Sequence, residues 1–444
     1  LESFLKSIPA DVLSIAFIDH DLCTRCGTCI GICPTQALSL DHAFFPKIDE
    51  SLCIECGLCK AVCPGGEVRF AELEKTTFGK AAESSSFDGH VEQTFVGYAG
   101  NPAFRSGGAG GGAVTALAWH LLHSGQVDGC VVTRMNPQKP WLGEVFIART
   151  WQDLLSSQQS KYIIIPVNTI LQELSKLEGR FAVVALPCQI HGLRKLQQKN
   201  LSIARKIKVI IGLFCASSLE PLVAEEMLKI KGIPRDAIAN FQFRGGRWPG
   251  RIRAILRDGG IKNLHYSNFK DGAINYLTYL YSPSRCQTCI DGSSELSDIS
   301  VSDAWTRDNR GKYIYESQSR LLVRTPVGQA TMTAAISAGD LIAEDVTQDV
   351  HYQTHRLHAR KKGLTAYVRV ERLRRAGVLT PSYDRGTPPI ERIDVRTERI
   401  ESMLMRWGRI SALRLPLFKF LISRYGIPLI TLRQKRKQKK YRRA

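Results

Sequence analysis

The spacing of apolar positions changes along the chain. From about residue 95, short runs rich in Val, Ile and Leu alternate with stretches of helical periodicity. The runs are "VDGCVVTRM", "YIIIPVNTILQEL", "RFAVVALPC", "KIKVIIGLFC", "SDISVSDAW" and "SRLLVRT". Near-continuous β-branched runs of this kind suit strands covered on both faces, as in a parallel or mixed sheet. Between them, "GGAVTALAWHLLHSG", "VNTILQELSKLEG" and "PLVAEEMLKIKG" read as helices, each with Gly near its C-terminal end, where a left-handed cap is favoured. The pattern predicts an α/β domain with a mixed sheet over residues 95–350.

On either side the pattern is different. Residues 1–75 carry most of the cysteines and read as a separate small α+β domain. Residues 76–94, with "KAAESSSFDG", read as a linker, and residues 351–444 as a helical, basic extension. That extension opens with "HRLHARKKGLTAYVRVERLRRAG", expected as a basic helix on the outside. A chain of 444 residues is long enough for two or three cores. No stretch reaches the roughly 18–20 uncharged apolar residues of a spanning helix. The first residues show no basic region before an apolar run, so no secretory signal is expected.

Thirteen cysteines refine the picture. Residues 23–36 read "CTRCGTCIGICPTQ" and residues 53–66 read "CIECGLCKAVCPGG", two copies of C-x2-C-x2-C-x3-C-P. Such clustering implies metal chemistry in a reducing compartment rather than disulfides, and a cytoplasmic protein. Three thiolates of each run hold one [4Fe–4S] cluster, and the fourth ligates the other. Cys23, Cys26, Cys29 and Cys63 are thus assigned to one cluster, and Cys33, Cys53, Cys56 and Cys59 to the second. Gly27 and Gly57 let backbone N–H groups approach the sulfurs. This segment alone is an electron wire.

Four more cysteines stand apart. Cys188 and Cys215 each close an apolar strand, and Cys286 and Cys289 form "CQTC". Carboxyl ends of strands are where open α/β sheets build sites. The four could make a third four-thiolate site, or be two core cysteines and a small zinc or redox pair. "RSGGAGGGAVTALAWHLL" opens a helix with glycines; its free N–H groups and helix dipole suit a diphosphate. Gly111 and Gly112 allow close approach, and Thr115 adds a hydroxyl. Read alone, the loop is more often a flexible connector.

Taken in order, "GGAVTAL", "SKY", "LPCQIHGLRKL", "IGLFC" and "CQTCIDGSSELSDISVSDAW" resemble the family of the coenzyme F420 hydrogenase/dehydrogenase beta subunit, with a ferredoxin segment fused in front. Plant 7-hydroxymethyl chlorophyll a reductase is a similar protein. The resemblance covers about residues 20–345. It implies a third [4Fe–4S] cluster on Cys188, Cys215, Cys286 and Cys289, and FAD at the glycine-rich loop. It places Lys161 and Tyr162 near the flavin and Gln189 at its ring. His191 becomes a candidate proton donor, the alternative being capping or packing. The chain departs from the family at "IIIPVN", where relatives carry polar residues, and at Ser302, where Gly is usual. "FRGGRWPGRIR" (243–253) could grip an acidic or phosphorylated substrate or be a solvated hairpin, and Asp303 and Trp305 follow a strand.

The function expected is electron exchange between a one-electron carrier, ferredoxin or a partner redox subunit, and an organic two-electron substrate such as coenzyme F420. Alternatives are a ferredoxin-dependent reductase of a tetrapyrrole or cell-surface polysaccharide precursor, or a non-enzymatic electron-transfer module of a larger complex. An oligomer is compatible with either. The net charge of +20 is concentrated at the end, with thirteen Lys/Arg from Arg406 onward and no acid after Glu401. Such a tail suits an anionic membrane surface, with Leu415, Leu417, Phe418, Phe420, Leu421 and Ile422 inserted. The alternative is a helix packed on the domain before a solvated end. Specific nucleic-acid binding is not expected, since a basic end alone gives nonspecific attraction.

Overall fold

The computed structural model describes residues 19–81, 87–265, 274–308, 312–348 and 359–426, with Pro428 and Leu432. In the cysteine-rich segment, the one-turn helices Thr28–Ile32 and Leu58–Ala61 follow the two cysteine loops. The hairpin β1 (Leu38–Leu40) and β2 (Pro46–Ile48) lies between them. The short β3 (Glu67–Val68) leads into the helix Phe70–Phe78.

The central sheet has eight strands. In chain order they are β4 (Gln93–Ala99), β5 (Gly129–Met135), β6 (Gly143–Ala148), β7 (Phe181–Ala185) and β8 (Ile207–Leu213), and then β12 (Ile299–Asp303), β13 (Ser319–Val323) and β14 (Leu341–Asp345). Their spatial order is β14-β4-β13-β12-β8-β7-β5-β6. β5, β7, β8 and β12 pair in parallel, whereas β6, β13, β4 and β14 join antiparallel, so the sheet is mixed. Alternation sets its two faces. Val131, Val183 and Ile210 enter one core, with the helices Pro187–Gln198 and Leu222–Ile230. Cys130, Ala182 and Val209 enter the other, with the helices Ala113–His123 and Pro326–Ser337. Between β8 and β12 the chain builds a separate antiparallel sheet of β9 (Ile238–Gly245), β10 (Arg251–Leu256) and β11 (Ile261–Asn263).

Three expectations need correction. "YIIIPVNTILQEL" contributes no strand to the sheet. Ile163 makes only an isolated bridge to Leu219, and after Pro166 the chain winds into a 3-10 turn, Val167–Ile170, and the helix Leu171–Lys176. The run is apolar because it is buried, and Pro166 has no N–H to extend a ladder. The basic stretch after 358 is not an outside helix, since Lys362 and Arg369 are both buried. Arg369 lies between Glu398 and Glu401 of the long helix Arg392–Arg409. In the last helix, Ser411–Leu421, Phe418 is fully buried and packs edge-on against Tyr281 at 5.2 Å, with Leu421 and Ile422 in the same core. Those three side chains are therefore inaccessible to a membrane. The basic run Arg433–Arg443 lies outside the described residues. No described helix is long and apolar enough to cross a bilayer.

The cysteine-rich segment shares the main core: Val62, Val68, Phe70 and Leu73 pack in one cluster with Ile190 and Leu193. Its first helix lies against Val167–Ile170 so closely that a Cβ on Gly31 would stand 2.1 Å from the Asn168 carbonyl oxygen. From the other end of the chain, β15 (Ser382–Tyr383) pairs in parallel with β3. Asp384 then caps the helix Phe70–Phe78, accepting from the N–H of Phe70 and Ala71.

Candidate functional site

Each cysteine run follows the same path. Arg25 and Glu55 take positive φ (55° and 52°), as do Gly27 and Gly57 (86° and 69°), just before the one-turn helix. Gly27 cannot carry a side chain for a second reason: a Cβ there would meet the Thr169 nitrogen at 2.7 Å. The bends aim donors at sulfur. Arg25 N–H points to Cys23 Sγ at 3.4 Å and Gly65 N–H to Cys63 Sγ at 3.3 Å, and Thr28 Oγ1 lies 3.1 Å from Cys26 Sγ.

By mutual electrostatic influence the structure brings twelve thiols into three groups. Cys29 feels Cys26, Cys63 and Cys23 most strongly. Cys59 feels Cys56, Cys33 and Cys53. Cys188 feels Cys286, Cys215 and Cys289. The influence also runs between the groups. Cys29 feels Cys59, linking first and second, and the strongest thiol neighbour of Cys188 is Cys26, linking third and first. Burial pushes Cys23 and Cys215 up to about 12 and Cys59 up to about 11. Without a cation these sulfurs stay protonated, and only a bound metal makes the group ionise together. The thirteenth cysteine, Cys130, is different: it is buried in the apolar core, with its thiol toward the Ala118 carbonyl.

Cys188 opens the helix after β7, Cys215 follows β8, and Cys286 and Cys289 flank the end of the one-turn helix Ser284–Gln287. Two buried cations face this third group. Lys362 donates to the Cys286 carbonyl at 3.0 Å, and its pKa is raised by Cys289, Cys215 and Cys286 against its burial. Arg285 donates to the Gly65 and Pro64 carbonyls and to the Tyr383 hydroxyl, tying the end of the second cysteine run to the third group. Neither residue stands out in a reading of the sequence. Arg285 has a signal, since it immediately precedes Cys286. Lys362 has none, because 76 residues separate it from Cys286.

Gln189 and His191 hold the loops of this group. Gln189 is a helix cap, its Oε1 accepting from Leu186 N–H and its Nε2 donating to the Ile165 carbonyl, both at 2.8 Å. His191 Nε2 lies 2.9 Å from Asp291, which also accepts from the N–H of Ser293, Ser294 and Glu295 and so fixes the turn after Cys289. Burial lowers the His191 pKa despite that partner.

The glycine-rich loop lies at the carboxyl end of β4. Gly111 and Gly112 take φ of 86° and 76°, and a Cβ on Gly112 would stand 2.2 Å from the Phe104 carbonyl oxygen. Gly112 starts the helix Ala113–His123 with no side-chain cap, and Thr115 is buried in its first turn. Asp303, at the carboxyl end of β12, faces the loop: its Oδ1 lies 2.4 Å from where a Gly110 Cβ would be. Arg244, from the end of β9, is buried and holds Asp303 at 2.6 and 3.0 Å. Of the Arg-rich hairpin, Arg244 is thus a core residue. Trp248 stacks on Trp305 at 5.2 Å, with Tyr313 edge-on to Trp248 at 5.0 Å. The buried Trp248 Nε1–H has no partner among the described residues, which marks a place for an acceptor. Lys161 donates to the Ser157 and Gln158 carbonyls, and burial lowers its pKa to about 7. Tyr162 packs edge-on to Phe243.

Comparison with known proteins covers most of the chain. Residues 94–172 and 178–349 match the N- and C-terminal domains of the coenzyme F420 hydrogenase/dehydrogenase beta subunit, and residues 16–69 match a 4Fe-4S dicluster domain. A coenzyme F420-dependent sulfite reductase of Methanocaldococcus jannaschii is 26% identical over 71% of this chain, which spans 46% of that relative's length. One component of the F(420)H(2) dehydrogenase of Methanosarcina mazei is 25% identical over 70% of this chain and 82% of its own. A chain of the F420-reducing [NiFe] hydrogenase complex from Methanosarcina barkeri shares the fold, with a TM-score of 0.54 and 19% identity over 69% of this chain and 99% of its own.

Proposed function

We propose a function from one premise: the chain belongs to the family of the coenzyme F420 hydrogenase/dehydrogenase beta subunit, with a 4Fe-4S dicluster domain in front. It is an oxidoreductase that carries electrons between a one-electron carrier and an organic two-electron substrate, with coenzyme F420 the first candidate. The carrier is a ferredoxin or a partner redox subunit, and the reaction is cytoplasmic. Residues 1–75 serve as the wire, 95–350 as the reaction domain, and 351–444 as an extension whose described part, 359–426, packs on both.

The observation that supports this reading is the electrostatic coupling of the three thiol groups in series. The second group is outermost, since Leu52 and Ile54 beside Cys53 are exposed. Its thiols would hold the cluster that meets the outside carrier. The first group, around buried Cys26, would hold the middle one. The third group, at the ends of β7 and β8, would hold the inner one. The donor sets fit [4Fe–4S] clusters: four sulfurs each, with backbone N–H groups aimed at sulfur in the first. Arg285 and Lys362 offset the negative charge of the third set of thiolates. His191 and Asp291 keep its loop in place.

The glycine-rich loop fits the diphosphate of FAD, with two left-handed glycines, an uncapped helix start and Lys161 nearby. Bound there, a flavin supplies the exchange between single electrons and a hydride. The paired indoles of Trp248 and Trp305 would orient a flat substrate, and Arg244 locks Asp303 in place beneath the loop.

Anaerobic reconstitution tests the reading. About twelve iron atoms per chain are expected for three clusters, with one FAD released by acid, and oxidation of reduced F420 by a one-electron dye. Cys286→Ser should lower iron to about eight. Eight in the unaltered chain would remove the third cluster, and an absence of flavin would remove the reaction centre.

A further inference from the structure

We infer that the outer face of the two C-terminal helices is a docking surface for an anionic lipid bilayer. The long helix Arg392–Arg409 is amphipathic in the reverse of the usual sense. Its carboxylates point inward: Asp394, Glu398 and Glu401 are buried, Glu398 completely, among Arg369, Arg372 and Ser402. Outward it shows Ile393, Ile400, Met403 and Trp407, each 43–53% exposed. A helix of a soluble domain normally does the opposite. The apolar spacing of three or four continues from Trp407 through Ile410, Leu413, Leu417 and Phe420, all exposed.

The charges around these residues have one sign. Arg392, Arg396, Arg399, Arg406 and Arg409 are exposed, as are Lys419 and Arg424. From residue 392 to the end of the chain the only acids are the three buried ones, and eight further Lys/Arg follow from Arg433 to Arg443. An apolar stripe on two helices that expose no acid between residues 392 and 421 matches the headgroup–acyl boundary of an anionic leaflet, and Trp favours that depth. A second copy of this chain is a poor occupant, because a two-fold interface would set one guanidinium row against its own image. The surface differs from the tail expected from sequence, since the long helix contributes Ile393, Ile400, Met403 and Trp407, and Phe418, Leu421 and Ile422 stay in the core. It does not depend on the redox reading.

The test is sedimentation of the full-length holoprotein with vesicles of phosphatidylglycerol and phosphatidylcholine, or of phosphatidylcholine alone. Binding is expected only to the first, and should weaken with salt. Arg396→Gln with Arg406→Gln should weaken it roughly 25-fold, about fivefold for each basic residue near the surface. Ile400→Ser with Trp407→Ser should weaken it at least tenfold. All four side chains are exposed, so iron content and visible spectrum should not change. Three outcomes overturn the proposal. One is no binding to anionic vesicles. Another is binding unchanged in the Ile400→Ser/Trp407→Ser protein but lost when the chain ends at Gly426. The third is a lipid-independent complex, with itself or an acidic ferredoxin, that the same substitutions abolish.

Discussion

Gly192→Ala tests how tightly the first thiol group is held against the third. Gly192 lies inside the helix that Cys188 opens. An added Cβ would stand 2.2 Å from Thr28 Oγ1 and 3.1 Å from Thr28 Cβ, whereas ordinary contact begins at 3.4 Å. With Thr28 in its present rotamer the two helices must separate by about 1.2 Å (3.4 minus 2.2). Rotating Thr28 moves Oγ1 away but leaves its Cβ at 3.1 Å, and it gives up the hydrogen bonds of that oxygen. Thr28 Oγ1 is moreover held by Asn168 Nδ2 at 2.8 Å and lies against Cys26 Sγ. Two effects oppose each other. Ala improves helix propensity by about 1 kcal/mol. Overpacking costs about 1–3 kcal/mol, and each hydrogen bond lost about 1 kcal/mol. The balance is a net loss of roughly 2 kcal/mol. Urea unfolding followed by tryptophan fluorescence measures it. Stopped-flow reduction of the reconstituted protein measures the second consequence: clusters on the first two groups should still accept electrons, and passage to one on the third should slow. Thr28→Ala removes the obstacle, so the double variant should recover most of the stability, a coupling of roughly 1–3 kcal/mol. A Gly192→Ala protein as stable as the parent, with unchanged reduction kinetics, would refute the close seam.

Three other perturbations probe separate parts. Lys161 carries a pKa of about 7 in the fold against about 10.4 unfolded. Between those values the unfolded chain holds the extra proton, so stability should rise with pH across that window; Lys161→Met should flatten this part of the urea-midpoint profile. Phe418→Ala should destabilise by about 3–5 kcal/mol, read as a fall in the urea midpoint, since the ring is fully buried against Tyr281; a change under about 1 kcal/mol would mean the last helix is not docked. Asp384→Ala removes the acceptor for two helix-start N–H groups and should cost about 1 kcal/mol, with faster proteolysis of the C-terminal segment.

What can be read in the sequence follows from which forces are local. The cysteine runs are legible because ligand spacing, glycine bends and prolines are all within a dozen residues. Buried strands such as β7 and β8 are legible because both faces are covered and every position is apolar. The edge strands β6 and β14 escape the pattern, since their exposed positions break the run. "YIII" misleads for the converse reason: burial alone makes it apolar, without a ladder. The roles of Gln189 and His191 depend on partners 24 and 100 residues away, and no local pattern encodes them.

The same reasoning explains why the chain returns at residue 382 to the segment where it began. The proposed wire of three clusters would need the spacing of its thiol groups fixed, yet the first two groups belong to a segment too small to hold itself rigidly against the sheet. Three contacts fix it, and they differ in kind. The helix seam at Gly27, Gly31 and Gly192 sets the closest approach by steric exclusion. Arg285 adds direction, since its donors end on the Gly65 and Pro64 carbonyls of one partner while its own backbone precedes Cys286 of the other. The strap of β15, Asp384 and Arg385 closes the far side, with Arg385 bridging Glu74 of the first segment and Glu295 of the third group's loop. Steric exclusion alone would let the parts separate, and the arginines alone would let them slide. Together they leave one arrangement, and the C-terminal extension supplies the last of the three contacts.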